Sequence, residues 1–207
     1  MSTVPPEAYV AALAGFRHMS VWRLGALLRL HPPHEAWQVV LGERPSSGLV
    51  AQALAAQGVR PAWRQCALER DPMAVFEQCT ALGVRVLPYG QADYPGGLLD
   101  DPHPPPVLFA RGDLSLLAGR RVGIVGTRNA TAQGRETARA LGHGLAAAGV
   151  HVVSGLARGV DGHAHRGVLA AEGAGRPIAI VASGLDVVYP REHRDLWAAV
   201  GNCGLLL

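Results

Sequence analysis

The sequence predicts an α/β protein in which a doubly wound parallel sheet follows a small all-helical domain. Residues 1–82 carry apolar positions at helical spacing, and residues 83–207 alternate short apolar runs with helical stretches. Strands joined by helices of this length need crossover connections, which favour a parallel, Rossmann-like sheet covered on both faces. Of the 207 residues, 49% are hydrophobic and 17% are charged, which excludes a disordered chain.

The first domain, residues 1–82, is predicted as short helices that start at prolines or at a capping serine. The predicted helices are 5–14, 21–30 behind Ser20, 33–40, 45–57, and a longer one from Pro61 that bends near Asp71 and Pro72. Bundles of this size include helix-hairpin-helix and sterile-alpha-motif-like modules. No sharp nucleic-acid hairpin signature occurs here, so protein contact or simple packing is the favoured use.

The second domain, residues 83–207, contains the strands and the helices between them. Strands are predicted at 84–87, 107–109, 121–125, 151–153, 177–182 and 205–207, with helices at 133–148, 161–172 and 193–201. The last strand is apolar and no helix follows it. We therefore expect further chain or a partner to complete the sheet at this end.

The charge distribution favours an anionic partner for the second domain. All 19 basic residues are arginines; residues 1–119 hold nine of them against ten acids, and residues 120–207 hold ten against six. Arginine offers a fork for phosphate and a flat face for bases. Genomic base composition explains the absence of lysine, so an arginine by itself does not indicate a phosphate contact. Only the arginines beside the glycine turns are candidates for phosphate binding.

Cysteine spacing and hydropathy predict a cytoplasmic protein without metal, cofactor or membrane partner. Cys66, Cys79 and Cys203 lie far apart and match no metal-binding spacing. No apolar run reaches membrane-spanning length.

Two glycine turns at strand ends predict a phosphate site. The first turn comprises Gly126, Thr127 and Arg128, and the second comprises Ser154, Gly155 and, just beyond it, Arg158. Turns at the carboxyl ends of neighbouring parallel strands meet at one edge of the sheet, where their backbone N–H groups can bind an anion.

A third turn, residues 183–191, follows the next strand and reaches the same edge. Gly184 opens it, Tyr189 could stack on a base, and Arg191 could contact a phosphate. A Tyr-Pro pair is also typical of a packed loop corner, so both interpretations stay open.

Asp161 and His165 admit a metal interpretation and a structural one. They lie one helical turn apart, while His163 points elsewhere and is expected to face solvent. The structural interpretation is favoured: Asp161 caps the helix and pairs with His165 or with a turn N–H.

Nucleotide enzymes are disfavoured by their missing fingerprints. The dinucleotide pattern G-x-G-x-x-G does not follow the first strand, and a P-loop needs a lysine that the chain lacks. The turns therefore predict phosphate binding without phosphoryl chemistry.

Taken together, these turns resemble the DNA-processing protein A (Smf) family of bacteria. The strings that carry the resemblance are D-Y-P at 93–95, P-P-V-L-F at 105–109, V-G-T-R at 125–128, S-G-L-A-R-G-V-D at 154–161 followed by A-H, and G-L-D at 184–186 followed by Y-P. Residues 1–82 match only in placement and size, as the family's sterile-alpha-motif-like domain.

The resemblance implies a non-enzymatic protein of natural transformation that binds and protects single-stranded DNA and loads the RecA recombinase, and that forms a homodimer. It implies DNA contacts at Gly126, Thr127, Arg128 and Arg191. The alternative is a Rossmann-like nucleoside-monophosphate phosphoribohydrolase, whose P-G-G-x-G-T-x-x-E string does not occur in these 207 residues.

Overall fold

The computed structural model describes residues 4–207, which form two compact units. One unit ends at Leu108, and the other is Phe109–Leu207. The predicted α/β class is confirmed. Within the described residues, no helix is long and apolar enough to span a membrane.

Six helices build the first unit: α1 (Pro6–Ala14), α2 (Val21–Leu30), α3 (Pro33–Leu41), α4 (Gly48–Ala55), α5 (Val59–Glu69) and α6 (Pro72–Ala81). Ser20 caps α2 as predicted, since its hydroxyl accepts a hydrogen bond from Arg23 N at 3.2 Å. The long helix predicted from Pro61 is wrong, because the chain forms two helices there. Asp71 accepts a bond from Met73 N at 2.9 Å and starts α6, and Pro72 cannot continue α5.

The core of this unit forms around Trp63, which is fully buried. Its indole nitrogen donates a hydrogen bond to the Arg17 carbonyl at 2.9 Å, so its one polar group is satisfied. Phe16 and Trp37 pack beside it with ring centroids 5.4 Å apart.

The strands and the remaining α-helices are β1 (Arg85–Pro88), β2 (Val107–Gly112), β3 (Arg121–Gly123), α7 (Ala132–Ala147), β4 (His151–Ser154), α8 (Val160–Leu169), β5 (Pro177–Ala179), α9 (Arg194–Cys203) and β6 (Leu205–Leu206). Six strands form one sheet in the order β1-β2-β6-β5-β4-β3. The last helix of the first unit, α6, ends at Ala81, whereas the compact units divide after Leu108. The domain boundary at residue 82 stays a prediction.

Strands β3 to β6 are parallel neighbours, as predicted. The sheet as a whole is mixed, however, because β2 runs antiparallel to β6 with Arg111 opposite Leu206. The segment 113–120 between β2 and β3 holds only a short 3-10 helix, Leu114–Leu117. A long crossover is not needed here, because β2 and β3 run in opposite directions.

The three crossovers from β3 to β6 all advance in one direction across the sheet, without the reversal of strand order that double winding requires. Right-handed connections then place α7, α8 and α9 on one face. Helices α7 and α8 pack closely, because a Cβ at Gly142 would overlap the Ala164 carbonyl and one at Gly167 would overlap the Arg139 carbonyl. This packing fixes the start of α8 beside the turn after β3.

Candidate nucleic-acid interface

The first glycine turn, residues 125–129, is exposed at the carboxyl end of β3. Within residues 4–207, the N–H groups of Gly126, Thr127 and Arg128 donate to no acceptor. The Thr127 hydroxyl accepts a bond from Asn129 N at 3.1 Å and orders the turn. Successive unpaired N–H groups of this kind form a concavity that binds anions.

The turn is held against the start of α8. Val160 N donates to the Thr127 carbonyl at 3.2 Å, and a Cβ on Gly126 would lie 2.7 Å from a methyl group of Val160. Gly159 has a φ of +75°, and a Cβ there would overlap the carbonyl oxygens of Thr127 and Arg128. Only glycine therefore fits at position 159 without moving the first turn.

The second glycine turn uses its polar groups inside the protein. Ser154 is 3% exposed, and its hydroxyl donates to the Ile124 carbonyl at 2.6 Å. Gly155 N donates to the Asp161 carboxylate at 3.0 Å. Each of these two groups already has an acceptor within the protein, and their phosphate contacts stay predictions. Ser154 ties the end of β4 to the residue that leads into the first turn.

A strained backbone supports the second turn. Leu156 is fully buried and has a φ of +54°. Residues other than glycine rarely adopt this backbone conformation. Its carbonyl accepts a hydrogen bond from Nδ1 of the buried His193 at 2.9 Å, so His193 carries a proton on Nδ1. The ring of His193 packs on Gly162, where a Cβ would lie 2.5 Å from Cε1.

Asp161 orders the second turn through Gly155 N, which is the turn contact foreseen for it. It does not cap the helix, because α8 begins at Val160 and Gly159 occupies the N-cap. The orientation expected for His163 is wrong, since its side chain is partly buried and Nδ1 lies 2.8 Å from the Gly159 carbonyl.

His165 lies fully buried on α8. Burial lowers the pKa of His165 to about 4, so the imidazole is neutral at pH 7. Over residues 4–207, no group of three or more His, Cys, Asp or Glu side chains could hold a metal ion.

A pocket of about 170 Å³ joins the three loops at this edge of the sheet. It is lined by Arg128, Asn129, Ala157, Arg158, Tyr189 and Pro190. Tyr189 is 60% exposed and lines this pocket together with the two arginines. The pocket thus brings guanidinium groups and an exposed aromatic residue together at one edge of the sheet.

The two arginines of the pocket differ in their partners. Arg158 forms an ion pair with Glu192 of the third loop. This hydrogen-bonded contact holds the pKa of the Glu192 carboxyl below its usual range and raises the pKa of the Arg158 guanidinium. Arg128 forms no ion pair with any described residue.

The third turn forms hydrogen bonds within itself. Val187 N donates to the Gly184 carbonyl at 2.9 Å, and the Ser183 hydroxyl donates to the Val187 carbonyl at 3.0 Å. A Cβ on Gly184 would lie 2.5 Å from Asp186 Oδ1, so a carboxylate stands beside the backbone that was expected to meet phosphate. Arg191 follows Pro190 and is exposed. The phosphate contacts of Gly184 and Arg191 stay predictions.

Sequence reasoning missed three residues that shape the site: Asn129, Gly159 and Glu192. Asn129 adjoins Arg128 in the open turn, and a polar side chain at that position was the available signal. Gly159 lies against the Thr127 carbonyl, and Glu192 forms an ion pair with Arg158. Both partners are distant in the sequence. No local pattern reveals such contacts.

Known proteins are similar to this chain in sequence. The chain is 43% identical over 115 residues to the DNA processing protein DprA of Bacillus subtilis, covering 55% of this chain and 38% of that protein. It is 36% identical over 141 residues to the protein Smf of Synechocystis, covering 66% of this chain and 35% of that protein. The chain thus spans little more than a third of the length of these relatives.

The X-ray structure of DNA processing protein A from Streptococcus pneumoniae has the same fold. It superimposes with a TM-score of 0.69 at 24% identity, over 100% of this chain and 67% of that one. A sequence model of the DNA recombination-mediator protein A family matches residues 85–207, which include all three glycine turns. Because this match covers more than half of the chain, the chain belongs to the DNA recombination-mediator protein A family.

Proposed function

We propose that this chain binds single-stranded DNA at the first glycine turn, within a protein that protects incoming DNA and loads the RecA recombinase during natural transformation. One observation carries the proposal: within residues 4–207, the N–H groups of Gly126, Thr127 and Arg128 have no acceptor, and the Arg128 guanidinium has no ion-pair partner. Backbone donors and an arginine fork are the groups that bind a phosphodiester.

Tyr189 favours a single strand over a duplex. Its ring is 60% exposed and lies in the same pocket as Arg128 and Arg158. A base can stack on it only when that base is not already stacked within a duplex. Phosphate contact and base stacking together support binding with little sequence preference.

The titratable groups around the second turn support binding without catalysis. Asp161 is buried and accepts the Gly155 N–H, and His165 is buried and neutral. Neither side chain is available for proton transfer to a ligand in the pocket. The phosphate site therefore holds its ligand without a general acid or base from these two residues.

RecA loading and homodimerisation are proposed for the whole protein on kinship alone. The relatives named DNA processing protein DprA and Smf are much longer than the matched region. Co-sedimentation with RecA and light scattering of the whole protein test these two parts separately from DNA binding.

A titration tests the central part of the proposal. Fluorescence anisotropy would compare a labelled oligothymidine, a duplex of the same length and labelled adenosine monophosphate at the same salt concentration. We expect the single strand to bind most tightly, with affinity that falls as salt rises. Preference for the monophosphate, together with release of free base, would contradict the proposal and support a phosphoribohydrolase.

A further inference from the structure

The Arg158–Glu192 ion pair lies at the lip of the pocket that we assign to DNA. Arg158 belongs to the segment just after the second turn, and Glu192 belongs to the third loop. Two hydrogen bonds join them: Nε donates to Oε1, and Nη2 donates to Oε2 at 3.0 Å. The carboxylate therefore occupies both donors on one side of the guanidinium.

This two-point contact has the geometry that an arginine fork offers to a phosphate. A phosphodiester that approached Arg158 in the same way would have to take the place of the Glu192 carboxylate. Glu192 would otherwise stand beside the phosphate and repel it. On this side of the guanidinium, the ion pair and a phosphate contact are therefore mutually exclusive.

The exposure of the pair makes the exchange feasible. The side chains of Arg158 and Glu192 are 61% and 50% exposed, so water can solvate either partner after they separate. Exposed ion pairs contribute little to folding, and opening this one leaves the fold intact. Arg128, in the same pocket, has no such competitor among the described residues.

We propose that Glu192 is an internal competitor for the Nε and Nη2 donors of Arg158, which a DNA phosphate must displace before it can bind this fork of the guanidinium. The inference rests on the proposed function and deepens it, because it assigns the two arginines different parts. Arg128 and the free N–H groups make the first phosphate contact. Arg158 adds its contact only at the expense of the ion pair, so Glu192 limits the affinity of the site.

The experiment compares Glu192→Gln with Glu172→Gln in the full chain. Both changes remove one exposed carboxylate from the second unit, but Glu172 lies beyond the carboxyl end of α8, away from the pocket. Affinity for a labelled oligothymidine is measured at one salt concentration for both variants, and again in an Arg158→Gln background. Thermal melting followed by circular dichroism establishes that each variant is folded.

We expect Glu192→Gln to bind the oligothymidine roughly threefold to fivefold more tightly than Glu172→Gln does. This ratio of affinities corresponds to the free energy of an exposed ion pair. In the Arg158→Gln background this advantage should vanish, because the residue that Glu192 occupies is gone. An advantage that persists without Arg158 would overturn the inference and leave general repulsion as the cause.

Equal affinities of the two glutamine variants would also overturn it, while binding by the wild type would leave the proposed function standing. If neither the wild type nor any variant binds the oligonucleotide, the proposed function fails and the inference fails with it.

Discussion

The first and second glycine turns are alike in sequence and opposite in use. Each follows a parallel strand and precedes a helix, and each has an arginine close by. In the first turn, the N–H groups of Gly126 and Thr127 are exposed and unpaired within residues 4–207. In the second, Ser154 and Gly155 donate to the Ile124 carbonyl and to the Asp161 carboxylate.

The difference shows that one glycine turn can keep its N–H groups open while another uses its polar groups to support that neighbour. The Asp161 carboxylate already accepts the Gly155 N–H from within the protein, so this N–H is not open to an external phosphate. Ser154 donates a hydrogen bond to the Ile124 carbonyl just before the first turn. Gly159 has no side chain, so the start of α8 can lie close to the first turn. The second turn is thus the support on which the first turn is presented.

The largest effect is expected at Gly159, where the two turns meet. Gly159→Ala adds a Cβ that overlaps the Thr127 and Arg128 carbonyls at a φ of +75°, and should lower the free energy of unfolding by about 3 kcal/mol. Gly149→Ala is the matched control, because Gly149 has a φ of +73° with open space around it. It should cost only about 1 kcal/mol. Denaturant unfolding measures both, and equal losses would show that the turns are not in contact.

A similar effect is expected from pH, through the helix under the second turn. The pKa of His165 falls from 6.5 to about 4 on burial, so the folded state resists protonation. Stability is fully present above pH 6.5 and decreases as the pH falls towards 4, by on the order of 3 kcal/mol.

Urea unfolding between pH 7 and pH 4 measures this slope. His165→Leu should flatten it, whereas His103→Gln, at an exposed position, should not. A slope that survives in His165→Leu would assign the pH dependence to other groups.

Most of the fold could be predicted from the sequence, because its signals are local. The prolines and the serine at which helices begin were enough to predict α1 to α3. The alternation of apolar runs with helical stretches was enough to predict β3 to β6. In the sheet, the failure came where a distant contact decides. The direction of β2 depends on its pairing with β6, which no local pattern contains.

The candidate site divides in the same way. Gly126, Thr127 and Arg128 lie in an exposed turn that needs only local reasoning. The occupied donors of the second turn could not be foreseen, because the acceptor of Ser154 lies 30 residues away along the chain. The partner of Arg158 is 34 residues away. The fold pairs Arg158 with Glu192, whereas Arg128 has no ion pair with any described residue.

A smaller effect is expected at Asp161, and it separates support from binding. Asp161→Ala removes the acceptor of Gly155 N and should lower the free energy of unfolding by roughly 1.5 kcal/mol, the loss typical of a hydrogen bond to a charged group. Asp161→Asn keeps an oxygen acceptor and should lose less. At a temperature where all three proteins are folded, oligothymidine affinity should stay within about twofold, a shift near 0.4 kcal/mol. A loss of affinity without a loss of stability would place Asp161 in the binding site.

The most direct test of the central claim compares Arg128→Gln with Arg120→Gln in titrations of labelled oligothymidine over a series of salt concentrations. Arg128 adjoins the open turn at the carboxyl end of β3, and the exposed Arg120 precedes β3 at its amino end. Arg128→Gln should weaken binding about tenfold and reduce the salt slope by about 0.7, the share of one single-strand phosphate contact. Arg120→Gln should leave the slope unchanged. Equal losses in the two variants, or an unchanged slope in Arg128→Gln, would contradict the assignment of the first turn as the phosphate site.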